Sequence, residues 1–305
     1  MKIEKILFPT DFSPSSEQAL DHALFLAKEF NAELHMLHAV VLHEDDPNDP
    51  KLHFSEFSEL LKRLSAVASS ELARLAAHPA SDGITIVQTE LRGYSAPAVI
   101  LDHASDIDAD LIVMGTHGRR GAGRFFLGSV AEKVVRHAPC PVLTLRERKE
   151  HHPLEAIHNV LVPVDFSGHS RYGLEAAREL AALCKARLQI VHVVELRKLP
   201  TFYEPFSAIE ITEDRKKRSK ESLAKLAAKV AGPTVEEELH VLVEVDAAKA
   251  LLDFATEHGS GLIVIPSHGL SGMERVLLGS TAERVIRFAG CPVLTVKPPA
   301  DPEED

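Results

Sequence analysis

At 305 residues, the chain has room for two domains of about 100–200 residues each. Its 45% hydrophobic and 26% charged residues are the balance of a soluble globular protein, and either half can bury a core without a metal or disulfide staple. The net charge of −11 is shared, with 16 basic against 22 acidic residues in the first 150 and 18 against 23 in the rest; this argues against DNA, RNA or anionic lipid as partners and leaves room for a small phosphate ligand in one local site.

Short apolar runs alternate with amphipathic segments along the first half. Strands are predicted at Lys5–Phe8, Glu33–Val40, Ile84–Glu90, Leu111–Met114 and Val142–Leu145, and their lack of clean alternation suits parallel strands covered on both faces. Helices are predicted at Ser16–Phe30, Phe54–His78, Ala96–Asp106 and Ser129–His137. Ser13 or Ser15, with Pro14 between them, marks the start of the first helix.

The chain is then written again. IEKILFPTDFSPSSEQAL from Ile3 returns as IHNVLVPVDFSGHSRYGL from Ile157, and MGTHGRRGAGRFFLGSVAEKVVRHAPCPVLTL from Met114 returns as IPSHGLSGMERVLLGSTAERVIRFAGCPVLTV from Ile265. A repeat this long is a duplicated domain and not a solenoid unit. The predicted domains are 1–148 and 154–298, joined by the charged stretch Arg146–Pro153, with a frayed acidic tail from Pro298. Strand–helix alternation makes each an open parallel α/β sheet of Rossmann-like type with strand order 3-2-1-4-5. The last strands, Val142–Leu145 and Val293–Val296, leave open edges, and pairing them about a pseudo-two-fold axis would protect both.

In such sheets ligands bind beyond the C-terminal strand ends, where strand order reverses. Two segments are expected there. One is Pro9-Thr10-Asp11; the other runs from Gly115 through Gly118 to Gly128-Ser129 and ends at a helix start. The glycines let backbone approach a ligand, and N–H groups with the Ser129 hydroxyl would hold phosphate oxygens. Arg119, Arg120 and Arg124 add positive charge to this loop. No Walker GxxxxGK[ST], intact GxGxxG or GxSxG occurs.

Gly115-x2-Gly118-x9-Gly128-Ser129, together with FPTDFS at Phe8–Ser13, closely resembles the ATP-binding universal stress protein family. The resemblance covers both copies. It implies a domain that holds ATP with a divalent metal on its phosphates, read as Mg²⁺ from oxygen ligands and phosphate alone: Pro9, Thr10 and Asp11 toward the adenosine, Ala39 against adenine, Met114, Gly115, His117, Gly118 and Arg119 along ribose and phosphates, and Gly128, Ser129 and Val130 closing the site. It further implies paired domains, a possible homodimer and an unidentified protein partner.

The second copy departs from this pattern. Pro266 stands where Gly115 stands in the first, without an N–H donor and with a fixed φ. Its loop, Gly269–Gly279, carries Glu274 and Arg275, against three arginines in Gly118–Gly128. Asp165, Val193, Gly269, Gly279 and Ser280 remain. The expectation is an asymmetric, cytoplasmic stress or regulatory protein that binds ATP mainly in its first half and is not an enzyme. Two alternatives stay open: slow ATP hydrolysis with His117 as the candidate base, and a second copy that binds a non-nucleotide apolar ligand.

Asp11 and Asp165 serve as helix caps, as ligand carboxylates, or as both. Cys140, Cys184 and Cys291 form no CxxC and read as small core residues in a reducing compartment. The N-terminal apolar run is too short for a signal peptide, and no run approaches the ~18 residues of a membrane span. His35 and His38 lie three apart in a strand, which argues against a zinc site. The basic run Arg215–Arg218 with Lys220, expected just before a helix at Ser222–Val230, reads as a solvated helix face, and the acidic loop His43–Pro50 as a solvated connection or a lid.

Overall fold

The computed structural model describes residues 2–41, 55–116, 127–147, 157–196, 207–267 and 278–297. His117, Gly118, Arg119 and the rest of that loop, its counterpart around Gly269, the acidic loop at 43–50, most of the linker and the acidic tail lie outside the described residues. The chain divides into two compact units at Glu155 and Ala156.

Unit one runs β1 (Lys5–Pro9), α1 (Pro14–Phe30), β2 (Glu33–Val41), α2 (Ser55–Ala76), β3 (Ile86–Gly93), α3 (Ala96–Asp106), β4 (Leu111–Gly115), α4 (Ser129–His137) and β5 (Val142–Leu145). All pairings are parallel, in the order β3-β2-β1-β4-β5. Ile6, Leu7, Phe8, Leu34, Leu37 and Ile112 are completely buried in the sheet, which is why these strands read as unbroken apolar runs.

Unit two repeats the plan with β6 (Asn159–Pro163), α5 (Gly168–Leu183), β7 (Arg187–Glu195), α6 (Ser207–Lys229), β8 (Glu237–Glu244), α7 (Ala247–Glu257), β9 (Leu262–Pro266), α8 (Ser280–Phe288) and β10 (Val293–Val296). Its order is β8-β7-β6-β9-β10, again parallel throughout.

Ser13 is the N-cap of α1, its hydroxyl accepting the Ser16 N–H, and Pro14 opens the helix; a proline loses nothing there because that N–H has no intrahelical partner. Ser167 caps α5 in the same way. Several predicted boundaries shift. β3 spans Ile86–Gly93, because β2 continues to Val41 and carries Leu91, Arg92 and Gly93 into register with Ala39, Val40 and Val41. A single 3-10 turn at Pro79–Ser81 follows α2. α6 begins at Ser207, so Arg215–Arg218 and Lys220 lie inside the helix, exposed on its surface.

Cys140 is buried, Cys184 and Cys291 are half-buried, and no disulfide joins any of them. Among the described residues no helix is long and apolar enough to cross a membrane.

Candidate functional site

β1 and β4 pair only at Ile6–Leu111 and Leu7–Ile112, then part. Strand order reverses at this point, since β1 leads through α1 outward to β2 while β4 lies on its other side. The parting strands open the crevice where open α/β sheets receive ligands.

The β1 end of the crevice is a tight turn. Thr10 donates its N–H to Leu37 O at 2.8 Å, and its carbonyl accepts from His38 Nδ1 at 2.8 Å, which fixes the proton on that nitrogen. The Thr10 hydroxyl accepts the Phe12 N–H at 3.0 Å, and the Asp11 carboxylate accepts the Ser13 N–H at 3.1 Å. Asp11 therefore closes an Asx turn onto the capping residue, and Ser13 itself is the cap. Between these two bonds Phe12 sits at φ 60°, a left-handed conformation that costs a bulky residue about 1–2 kcal/mol. Its ring stacks on His38, with centroids 4.5 Å apart.

The β4 end is pinned through Thr116. Its N–H donates to Leu145 O at 2.7 Å, and its carbonyl accepts the Gly128 N–H at 2.8 Å. This bond holds the start of α4 against the end of β4. Gly128 is the N-cap of α4 and offers no side-chain hydrogen bond to the first turn, so the N–H groups of that turn receive none from the cap, and Ser129 beside them is exposed. Val130 and Ala39 are half-buried, and Met114 is buried.

Pro9, Thr10, Asp11, Ala39, Met114, Gly115, Gly128, Ser129 and Val130 thus gather at the C-terminal edge of one sheet. Gly115 has a structural reason as well: a Cβ there would stand 2.5 Å from Ser15 Oγ and 3.0 Å from the Ser15 carbonyl. The glycine lets α1 close on β4. Ser15 Oγ is buried and finds no hydrogen-bond partner.

Unit two builds the same frame. His192 Nδ1 donates to Val164 O at 2.7 Å, Phe166 lies at φ 64° with its ring 4.4 Å from His192, and Ser167 N–H donates to Asp165. Ser267 bridges Val296 and Gly279 as Thr116 bridges Leu145 and Gly128. Pro266 keeps its place in β9 opposite Val296. Its bulk is accommodated by Gly173, so what it removes is an N–H donor and not the shape of the strand end.

Sequence reasoning did not place Phe12, His38 or Thr116 at the site, and weighed His38 only as a metal ligand. The first two could have been found, because Phe166 and His192 recur at the same 154-residue offset as the rest of the turn. Thr116 acts through its backbone, which no side-chain pattern reports.

Comparison with known proteins agrees with this architecture. The universal stress protein family model matches residues 2–146 and 156–297. A universal stress protein of Methanocaldococcus jannaschii is 37% identical over 147 residues, covering 48% of this chain and 84% of the relative. One from Staphylococcus epidermidis is 34% identical over 152 residues, 47% of this chain and 84% of the relative. Among solved structures, a universal stress protein from Archaeoglobus fulgidus superposes with a TM-score of 0.64 at 22% identity over 96% of both chains, which speaks to the fold. Matched twice over nearly its whole length, with the same strand order and turn chemistry in each half, the chain belongs to the universal stress protein family as a tandem of two such domains.

Proposed function

We propose that the protein is a cytoplasmic nucleotide-binding regulator of stress responses, that unit one holds ATP across the β1–β4 crevice, and that the occupied shape is read by a protein partner. The observation that carries this reading is the Thr116 bridge, which sets an α4 N-terminus without a side-chain cap on the same edge as the Asp11 turn. Backbone N–H groups and the Ser129 hydroxyl suit phosphate oxygens. Asp11 suits the N–H or O–H donors of a nucleoside, and Ala39 leaves space for a flat base.

A divalent cation fits this frame as a companion of the phosphates. Among the described residues no group of three His, Cys, Asp or Glu converges to hold a metal by itself, and Mg²⁺ prefers one or two carboxylates plus phosphate oxygens.

The proposed asymmetry rests on two differences. The sequence Gly118–Gly128 contains Arg119, Arg120 and Arg124 and no acidic residue, whereas Gly269–Gly279 contains Glu274 beside Arg275. Pro266 also lacks the donor that Gly115 retains. Titration of ATP·Mg²⁺ into the intact chain, and into its Gly118→Asp and Gly269→Asp variants, tests both parts. One site lost only in Gly118→Asp supports the proposal; two equal sites overturn the asymmetry, and no binding overturns the nucleotide reading. Turnover is tested in parallel: hydrolysis abolished in His117→Ala with binding intact would make unit one an enzyme.

A second reading concerns unit two. Val164, Val193 and Pro266 stand where unit one has Thr10, Ala39 and Gly115, and Phe166 is 38% exposed on that edge. Such a lining suits an apolar ligand. Fluorescence titration with a hydrophobic probe, sensitive to Phe166→Ser and insensitive to ATP, would support it; binding unaffected by Phe166→Ser would remove it.

A further inference from the structure

α6 differs from its counterpart α2 in charge. Between residues 215 and 229 it carries seven basic residues against one acidic residue, Glu221, whereas α2 balances Lys62, Arg63 and Arg74 with Glu56, Glu59 and Glu71. Among the described residues only Arg218 of this basic set has an ion-pair partner, Asp214 at 3.7 Å, and both side chains are exposed.

α6 also differs along its own length. Leu223, Ala227 and Val230 are buried at helical spacing and form the stripe by which the helix packs. Carried back seven and three residues from Leu223, that stripe falls on Lys216 and Lys220. Residues 213–218 are exposed one after another, and six successive residues pass right round a helix of about 3.6 residues per turn. Described residues therefore cover no side of this stretch, not even the side that is buried farther along.

The chain after β10 supplies the opposite charge. Asp301, Glu303, Glu304 and Asp305 follow with no basic residue from Pro298 onward, whereas the stretch after β5 mixes Arg146, Arg148 and Lys149 with Glu147 and Glu150. Basic helix and acidic segment thus occur together in unit two, and unit one has neither. Reach permits them to meet. α6 packs on β7 and β8, and β7 lies three strand spacings from β10, or about 14 Å. The residues from Pro298 to Asp305 span up to about 26 Å. α6 follows β7 and runs back along the sheet, so its first half stands at the same end of the sheet as the end of β10.

We infer that residues 301–305 dock on the uncovered basic stretch of α6 in the same chain. A peptide fits this surface better than a membrane does, because residues 213–222 include no large apolar side chain to insert. Exposed ion pairs are individually weak, but attachment to β10 keeps the carboxylates near the helix at an effective concentration on the order of millimolar. The docked segment passes the C-terminal ends of β9 and β6, which lie between β10 and β7. It adds negative charge at the mouth of that crevice and disfavours anions there. None of this depends on the nucleotide reading of unit one.

Zero-length carbodiimide cross-linking of the full chain at low salt, mapped by mass spectrometry, tests the inference. Mixed isotopically light and heavy protein separates links within a chain from links between chains. The expected links join Glu303 or Glu304 to Lys216, Lys217 or Lys220 within one chain and survive dilution. They fall about tenfold in 1 M NaCl, where the screening length is about 3 Å. Lys216→Glu/Lys217→Glu/Lys220→Glu abolishes them, and adding Glu303→Lys/Glu304→Lys restores them with the charges exchanged. All five positions are on the exposed helix stretch or in the acidic segment, and matching thermal midpoints show that the fold is kept.

Links from the acidic segment to lysines elsewhere, with none on α6, overturn the inference. Links found only between light and heavy chains overturn it by giving the surface to a second copy. Links that persist in 1 M NaCl, or that fail to return in the charge-exchanged variant, overturn it by showing that charge does not hold the segment there.

Discussion

A Cβ on Gly173 of α5 would stand 2.9 Å from Cγ of Pro266 at the end of β9. The corresponding residues of unit one are Ala19 and Gly115, so the bulk that β4 lacks in one unit is present on β9 in the other, and the facing helix gives way. This pairing explains how a proline occupies the last residue of a central strand without bending it.

The pair is predicted to be coupled. Gly173→Ala overpacks against the pyrrolidine ring and costs about 1–3 kcal/mol, the range for an added methyl in a filled core. Pro266→Gly in the same chain recovers most of that loss. Denaturant melts of the two single variants and the double variant measure the coupling, which additivity would set at zero.

Arg178 is a second position where unit two departs from its twin, since its counterpart is Leu24. The guanidinium is buried, donates to Glu237 at 2.6 Å and to Ala227 O at 2.6 Å, and also reaches Val230 O. It therefore caps the last carbonyls of α6 while pairing a carboxylate on β8. Arg178→Leu leaves those acceptors unsatisfied and is predicted to destabilise the protein by about 2–4 kcal/mol. Chemical denaturation checks this, with unchanged stability as the contrary result.

The duplicated fold was legible because fully buried parallel strands leave unbroken apolar runs, and because both copies carry the same turn residues at fixed offsets. Most strand and helix limits followed from those runs alone. The end of β3 did not, since Leu91–Gly93 become strand only by pairing with β2. The role of Pro266 was legible only as a lost donor. Its accommodation depends on Gly173, 93 residues earlier in the chain, and such a compensation is invisible until the fold brings the two together. At the site, neither the Phe12–His38 stack nor the Thr116 bridge was singled out, the first although it recurs in unit two and the second because a backbone contact leaves no side-chain pattern.

Burial lowers the pKa of His103 from its ordinary value, and the nearby His35 lowers it further against a smaller opposing effect from Asp106. Its Nε2 is buried without a partner, and unit two has Phe254 at this position. A depressed folded-state value means that the unfolded chain takes up the proton first. The stability tied to this group is complete above the unfolded value of about 6.5 and is lost as pH falls through the lower folded value. His103→Phe is predicted to stabilise the protein by about 1 kcal/mol near neutrality, with a larger gain at pH 5. Equal gains in melts at pH 7.5 and pH 5 would refute the linkage.

Lys185 follows α5 at φ 51°, where unit one has Asn31 at φ 53° after α1. Asparagine and glycine tolerate the left-handed region better than lysine. Lys185→Gly is predicted to raise stability by about 0.5–1 kcal/mol, read as an upward shift in the thermal midpoint. A lowered midpoint would mean that contacts of the lysine side chain outweigh its backbone strain.

His38 and His192 carry the last prediction, because they brace equivalent turns with different consequences. Each donates Nδ1–H to the carbonyl just before the aspartate and stacks on a phenylalanine held at positive φ. Replacing either by leucine removes one hydrogen bond and one ring contact, a loss of about 1–2 kcal/mol in each unit. The stability costs should therefore match. Nucleotide binding should not: with ATP in unit one, His38→Leu loosens the turn that aims Asp11 and weakens affinity, while His192→Leu leaves affinity as it is. Thermal melts and ATP titrations of both variants separate the bracing role, common to the two units, from the ligand role proposed for the first, and a loss of affinity in His192→Leu would place nucleotide in unit two.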